Sequence, residues 1–222
     1  MDISPILISL KTASCSIVIT FFLGVIIALF VTDIRWKALK IILDGILTLS
    51  LVFPPTVAGF FLLYIFGVRG PIGRFFLDFF GYKIAFSWTA AVLAAMVISF
   101  PLMYRSARGA LEQMDTVLIE DARTLGLSDW SIFWKVRLPI AMPGIAAGGM
   151  LAFARGLGEF GATAMIAGNI SGKTRTLPLA IYSAVASGDM DTAKNYVIII
   201  VVISFIVVSL LNWFSNTIFY KK

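Results

Sequence analysis

Residues 12–32 read TASCSIVITFFLGVIIALFVT, an unbroken stretch without Asp, Glu, Lys or Arg. A helix needs about 20 mostly apolar residues to cross the roughly 30 Å hydrocarbon layer of a bilayer. The stretch therefore predicts a membrane-spanning helix. Three more uncharged runs of spanning length follow at 45–68, 84–104 and 195–220. A fifth crossing is expected over 138–168, interrupted by Arg155 and Glu159. These two lie four residues apart, so on a helix they share a face and can pair. The uncharged run 176–188 is too short to cross and reads as a re-entrant or interfacial helix.

The composition of the whole chain agrees. Of its 222 residues, 59% are hydrophobic and 14% charged, and the mean hydropathy is +0.96. A soluble domain carries about 25% charged residues, so an ordinary water-soluble enzyme is excluded, as are disorder and a collagen-like chain. There is no His, which removes the commonest general base and metal ligand together. The single Cys15 cannot pair within the chain. No catalytic, metal or cofactor site is expected. The net charge of +6 points to a membrane surface rather than nucleic acid. The N-terminal apolar run lacks a basic n-region before it and a small-residue cleavage site after it, so it reads as a retained helix.

Five spans put the termini on opposite sides. One side carries the segment 33–40, the connection 105–137 and the C-terminal tail, with Arg35, Lys37, Lys40, Arg105, Arg108, Arg123, Lys135, Arg137, Lys221 and Lys222. The other carries Lys11, Arg69, Arg74, Lys83, Lys173, Arg175 and Lys194. The positive-inside rule places the first group in the cytoplasm, the C-terminus with it, and the N-terminus outside.

The long charged connection, 106–137, reads as two short helices. The first, near 117–125, is stopped by Gly126, a residue suited to the position after a helix end. The second opens at Ser128, a good N-cap, and carries Trp130, Ile132, Phe133, Trp134 and Val136. Large aromatics on a short cytoplasmic helix need a cover. Either they lie at the membrane interface, where Trp is common, or they dock into a groove of a soluble partner.

Glu120-Asp121-Ala122, three residues, Gly126, nine residues and Val136-Arg137-Leu138-Pro139 resemble the EAA loop of ABC-importer permeases, with Asp121 and Val136 as mild departures. The resemblance extends over nearly the whole chain. The segments Val52-Phe53-Pro54-Pro55-Thr56 and Leu151-Ala152-Phe153-Ala154-Arg155-Gly156-Leu157-Gly158-Glu159-Phe160-Gly161-Ala162-Thr163 are similar to those of the molybdate, tungstate and sulfate permeases, the molybdate type most of all. The resemblance implies an all-α membrane protein of the type I ABC importer permease fold: one permease domain over 1–222, with five transmembrane helices and a cytoplasmic two-helix coupling loop at 106–137. It implies an inner-membrane location and a dimer, by simplest closure with a second copy of the chain or, as in sulfate-type systems, with a different permease. It also implies two ATP-binding cassette subunits that hold the ATP and Mg, and an extracytoplasmic molybdate-binding protein. In such a permease Glu120, Asp121, Ala122, Gly126, Trp130, Phe133, Trp134, Leu138 and Pro139 would couple to the ATPase.

The residues expected along the translocation path or gate are Pro54, Pro55, Thr56, Arg155, Glu159, Gly161 and Thr163. A charge at mid-membrane costs about 2.5–3.5 kcal/mol on insertion scales, so Arg155 and Glu159 should face protein or water. They form either a structural brace or a partly neutralised gate. Pro54-Pro55 breaks the second span, as a static kink or as a bend used in gating at the pore wall, where freed carbonyls are shielded from lipid. Gly156, Gly158 and Gly161 permit close helix packing.

The segment 167–174 imitates a phosphate-binding loop, but it lacks the strand and soluble α/β context that chemistry requires. It reads as a docking element for the binding protein, a cap on the path, or a solvated loop. A competing reading of the chain is an ion-coupled anion transporter. That class usually shows internal repeats and midplane ionisable groups; no clear repeat is found, and only Arg155 and Glu159 stand inside a span. An embedded enzyme finds no convergent nucleophile and base. Between molybdate, tungstate and sulfate, the choice rests on resemblance alone.

Overall fold

The computed structural model describes residues 2–219. Tyr220, which closes the last apolar run, and Lys221 and Lys222, counted in the basic tail, lie outside the described residues. Among those described there is no strand. Four helices are long and apolar enough to cross a membrane, and one sharply bent pair makes a fifth candidate.

Helix α1 (Ser4–Thr32) buries Ser9, Thr12, Ser16, Thr20, Gly24, Ala28 and Val31, a single face at three- and four-residue spacing. That face packs on α5 (Trp88–Glu112) and α8 (Leu138–Leu157). Small residues bring the backbones close where lipid supplies no hydrophobic drive: a Cβ on Gly24 would come 2.6 Å from Met103 Cγ, and one on Gly148 2.5 Å from Ser106 Cβ. Helix α5 is the central post, and its Met103, Tyr104 and Ala107 are fully enclosed. On the outer side of α1, Phe22, Ile26 and Phe30 are exposed, as lipid-facing residues are.

The second expected span is not one rod. Helix α2 (Lys37–Thr48) passes through a tight turn at Leu49–Leu51 before α3 (Pro55–Phe66) begins, and the two parts meet at 106°. Pro54 stands in an extended conformation, ψ 138°, as a residue preceding proline must. The break falls where the proline pair predicts it, but it is a corner rather than a kink.

The span expected over 138–168 also ends early. Helix α8 stops at Leu157, and a separate short helix, α9 (Gly161–Ile166), follows. At its other end α8 is continuous with α7 (Asp129–Ile132) through a π-turn at Phe133–Arg137. Pro139 has no N–H for the carbonyl four residues back and its ring crowds that carbonyl; the wider turn just before it absorbs both defects.

Two shorter helices complete the bundle end that holds the N-terminus. Helix α10 (Leu177–Ala186), the run too short to cross, packs on α11 (Met190–Phe219) through Leu177, Ala180 and Tyr196. Ser9 Oγ accepts the Leu177 N–H at 2.7 Å. Helix α4 (Pro71–Phe80) was not foreseen, because a Phe-rich segment interrupted by Arg74 and Asp78 has neither a spanning length nor a soluble pattern. At the opposite end, α6 (Thr116–Thr124) connects α5 to α7.

Candidate coupling and translocation site

At the end formed by α6 and α7, each cap is built from local sequence. Asp115 Oδ1 accepts the Val117 N–H at 2.9 Å to open α6. Gly126, at φ +79°, closes it: its N–H donates to Arg123 O at 2.9 Å, and Leu127 N–H donates to Ala122 O at 3.1 Å. This crossed pair is the Schellman stop, and it needs a left-handed residue at Gly126. Ser128 Oγ then accepts the Ser131 N–H and starts α7. Arg123 and Asp129 pair at 3.0 Å and tie the two helices together.

Ala122 and Ile132 are buried and anchor this elbow. Glu120, Asp121 and Gly126 are exposed. Trp130, Phe133 and Trp134 form one ring cluster with centroids 5.1–6.4 Å apart, and Trp130 is 71% exposed. Leu138 and Pro139 lie in the first turn of α8, one step beyond the π-turn. The first part of the stretch 106–137 continues α5 as far as Glu112, so the free elbow is shorter than the charged sequence suggests.

Above the elbow lies a charge cluster that the sequence reading missed. Arg108 pairs with Asp44 and, at 3.0 Å, with Glu112; Lys40 reaches Glu112 at 2.7 Å. These contacts pin α2 to the end of α5. Asp33 holds Arg137 at 3.0 Å, joining the end of α1 to the π-turn. The signal was present as two i, i+4 opposite-charge pairs, Lys40/Asp44 and Arg108/Glu112. What joins them is contact between helices, which no local pattern records.

The residues expected along the path fall into one contiguous group near the corner. A Cβ on Gly161 would lie 3.0 Å from Pro55 Cβ and 3.2 Å from Thr56 N, and one on Gly59 2.7 Å from Ala162 Cα. The start of α3 thus rests directly on α9. Glu159 Oε1 accepts the Ala162 N–H at 2.8 Å and so caps α9. Its Oε2 lies 2.9 Å from Arg155 Nη1, close enough for an ion pair but not aligned as a hydrogen bond. The carboxylate side chain is 1% exposed and the guanidinium side 35%. The expected pair therefore forms, although Glu159 lies past the end of α8. Thr163 is buried in α9, whereas Pro54 and Thr56 are exposed.

The sequence family described as "Binding-protein-dependent transport system inner membrane component" matches residues 20–221. The chain is 43% identical over 212 residues to the molybdenum transport system permease protein ModB of Escherichia coli (strain K12), covering 95% of this chain and 92% of that protein. It is 38% identical to the ModB protein of Haemophilus influenzae over 97% of this chain and 94% of the relative. Its fold superposes on a chain from the crystal structure of a bacterial ABC transporter that imports alginate, with a TM-score of 0.79 at 15% identity, covering 98% of this chain and 79% of that one. Continuous matches of this length, joined to an all-helical bundle with four helices of spanning length among the described residues, place the chain in a multi-pass membrane family. The chain belongs to the binding-protein-dependent transport system inner membrane components.

Proposed function

We propose that the chain is the membrane-spanning permease subunit of an ATP-driven ABC importer that carries molybdate into the cytoplasm. The observation that carries this reading is the 43% identity to a molybdenum permease across 95% of the chain. The exposed aromatic cluster on the α6–α7 elbow supports it from geometry. Trp130 and Trp134 sit on a helix braced by Ala122 and Ile132, an arrangement suited to a groove on a partner.

In this reading the elbow faces the cytoplasm and the N-terminus lies outside, in keeping with the heavier Lys and Arg content of the elbow side. Glu120, Asp121, Ala122, Gly126, Trp130, Phe133, Trp134, Leu138 and Pro139 transmit the closure of two ATP-binding cassette subunits, which hold ATP and Mg. The chain has no cofactor of its own and breaks no bond. A second copy completes the path, and an extracytoplasmic molybdate-binding protein delivers the anion and sets its selectivity. Pro54, Pro55, Thr56, Gly161 and Thr163 form the hinge where α3 meets α9. Arg155, neutralised by Glu159, borders the path without trapping a dianion.

The test is uptake into proteoliposomes holding the permease, its ATPase partner and the binding protein. ATP-dependent molybdate uptake, outcompeting tungstate and sulfate, is the expected result. Preference for tungstate or sulfate would reassign the substrate, and proton- or sodium-driven uptake by this chain alone would overturn the reading.

A further inference from the structure

Helix α4 has no part in the coupling or path geometry, yet its surface is unusual. Gly73 is its one fully buried residue, pressed onto the end of α3 so closely that a Cβ there would strike the Phe66 and Gly67 carbonyls. Ile72, Phe75, Phe76, Phe79 and Phe80 are all exposed, Phe79 by 73% and Phe80 by 67%. At about 100° per residue these five occupy one arc of roughly 140°. Their rings pack on one another, Phe75 against Phe79 at 4.7 Å and Phe76 against Phe80 at 5.5 Å. Arg74 and Asp78, paired at 3.4 Å, stand on the opposite side. Ten residues at 1.5 Å each reach about 15 Å, half the hydrocarbon layer, so α4 cannot cross.

A cavity of about 500 Å³ opens beside its first turn, lined by Phe60, Tyr64, Val68, Arg69 and Phe86 among others. Phe86 is held at φ +59°, with its N–H donating to Ile166 O at 2.9 Å. Its ring remains half exposed at the cavity wall. Arg69 is exposed and makes no hydrogen bond or ion pair among the described residues. Exposed aromatics extend beyond α4, since Phe60, Phe61 and Tyr64 of α3 are exposed as well.

We propose that α4 and the adjoining cavity form a phospholipid-binding surface, with α4 lying in the plane of the bilayer interface. The phenylalanine arc sits among acyl chains, Arg74 and Asp78 face water and headgroups, and Arg69 meets a lipid phosphate at the cavity mouth. An apolar arc opposite an ion pair, with a free cation at its rim, matches the chemistry of that boundary. The inference rests on membrane embedding and is independent of the transported anion and of ATP coupling.

The test uses the full chain with Cys15→Ser, reconstituted in phospholipid vesicles and spin-labelled at Phe79→Cys, with Asp78→Cys as the comparator. Phe75→Cys gives a second reading on the same arc. Collision with molecular oxygen should exceed collision with a water-soluble nickel chelate at 75 and 79, and the ratio should invert at 78. Nickel access at 75 and 79 equal to that at 78 would show a water-facing surface or a soluble partner's site. Exclusion of both reagents together with spin–spin broadening would show a second copy seated on the arc. Either result overturns the proposal.

Discussion

Glu159 and Ala162 are joined by a 2.8 Å hydrogen bond from the Ala162 N–H to the carboxylate, so the acid that neutralises Arg155 also fixes the first turn of α9. One buried side chain thereby links the end of a span to the helix on which the corner rests. The two partners in the ion pair are not equivalent, because Glu159 is enclosed while Arg155 keeps some access to its surroundings. Removing Arg155 strands a buried carboxylate. Arg155→Ala should therefore lower stability by about 3 kcal/mol, and Glu159→Gln by less, since the amide oxygen still accepts from Ala162. The double variant Arg155→Met/Glu159→Gln should recover most of the loss. Thermal unfolding of the detergent-purified permease checks the order; Glu159→Gln proving the worse single variant would refute it.

Gly126 stands at a left-handed φ with open space around its missing Cβ. Only the backbone resists substitution, so Gly126→Ala should cost about 1–2 kcal/mol of local stability. Gly126→Asp adds a charge on the elbow proposed to dock the ATPase. ATP-dependent uptake should fall in that variant while its membrane level, read by immunoblot, stays at wild type. Normal uptake would count against the elbow as the coupling element.

Gly59 meets the backbone of Ala162, which cannot yield as a flexible side chain can. Gly59→Ala should push α3 off α9 and destabilise the permease by about 1–3 kcal/mol. Gly45→Ala, where a Cβ meets nothing within 4 Å, is the control. Equal melting temperatures for the two variants would contradict the close packing at the corner.

Trp130 and Trp134 are exposed and contribute little to the fold of the isolated chain. Trp130→Ala and Trp134→Ala should leave thermal stability within about 0.5 kcal/mol. Each should weaken ATPase binding by about 2 kcal/mol, more than tenfold, measured by titrating the ATPase onto reconstituted permease. Unchanged affinity would move the docking surface elsewhere.

Asp2 and Asp189 lie just before the first residues of α1 and α11 and accept N–H groups of their first turns. Hydrogen bonds from Ser4 hold the Asp2 carboxyl below the ordinary carboxylate range, and those from Thr192 do the same for Asp189. A lowered value means that the caps are fully present above the ordinary carboxylate range and are lost as pH falls through the lowered one. Amide exchange at Ser4 and Thr192, corrected for the intrinsic rate, should accelerate on acidification through that window. Protection independent of pH there would contradict the capping role.

The spans were legible where an uncharged run stands alone, as in α1. Helix α5 outran its uncharged run because Arg108 and Glu112 find partners on α2, and charge counting along one segment cannot see another segment's charges. Pro54-Pro55 marks a break but carries no angle; one arm of the corner is held by the ion pairs of α2 with α5 and the other by the fit of Gly59 and Gly161 between α3 and α9. The end of α8 was hidden for a similar reason, since Glu159 reads equally as an i, i+4 partner within a helix and as the cap of the next one. The Gly126 stop and the Ser128 cap were readable because both are purely local devices.

The π-turn before Pro139 keeps the exposed indole of Trp130 and the guanidinium of Arg155 on one continuous helical run. Residues Asp129–Leu157 form one helical run of 29 residues, about 43 Å long at 1.5 Å per residue. On the proposed reading, a displacement at the aromatic foot therefore reaches Arg155 through a single helix rather than across a loop.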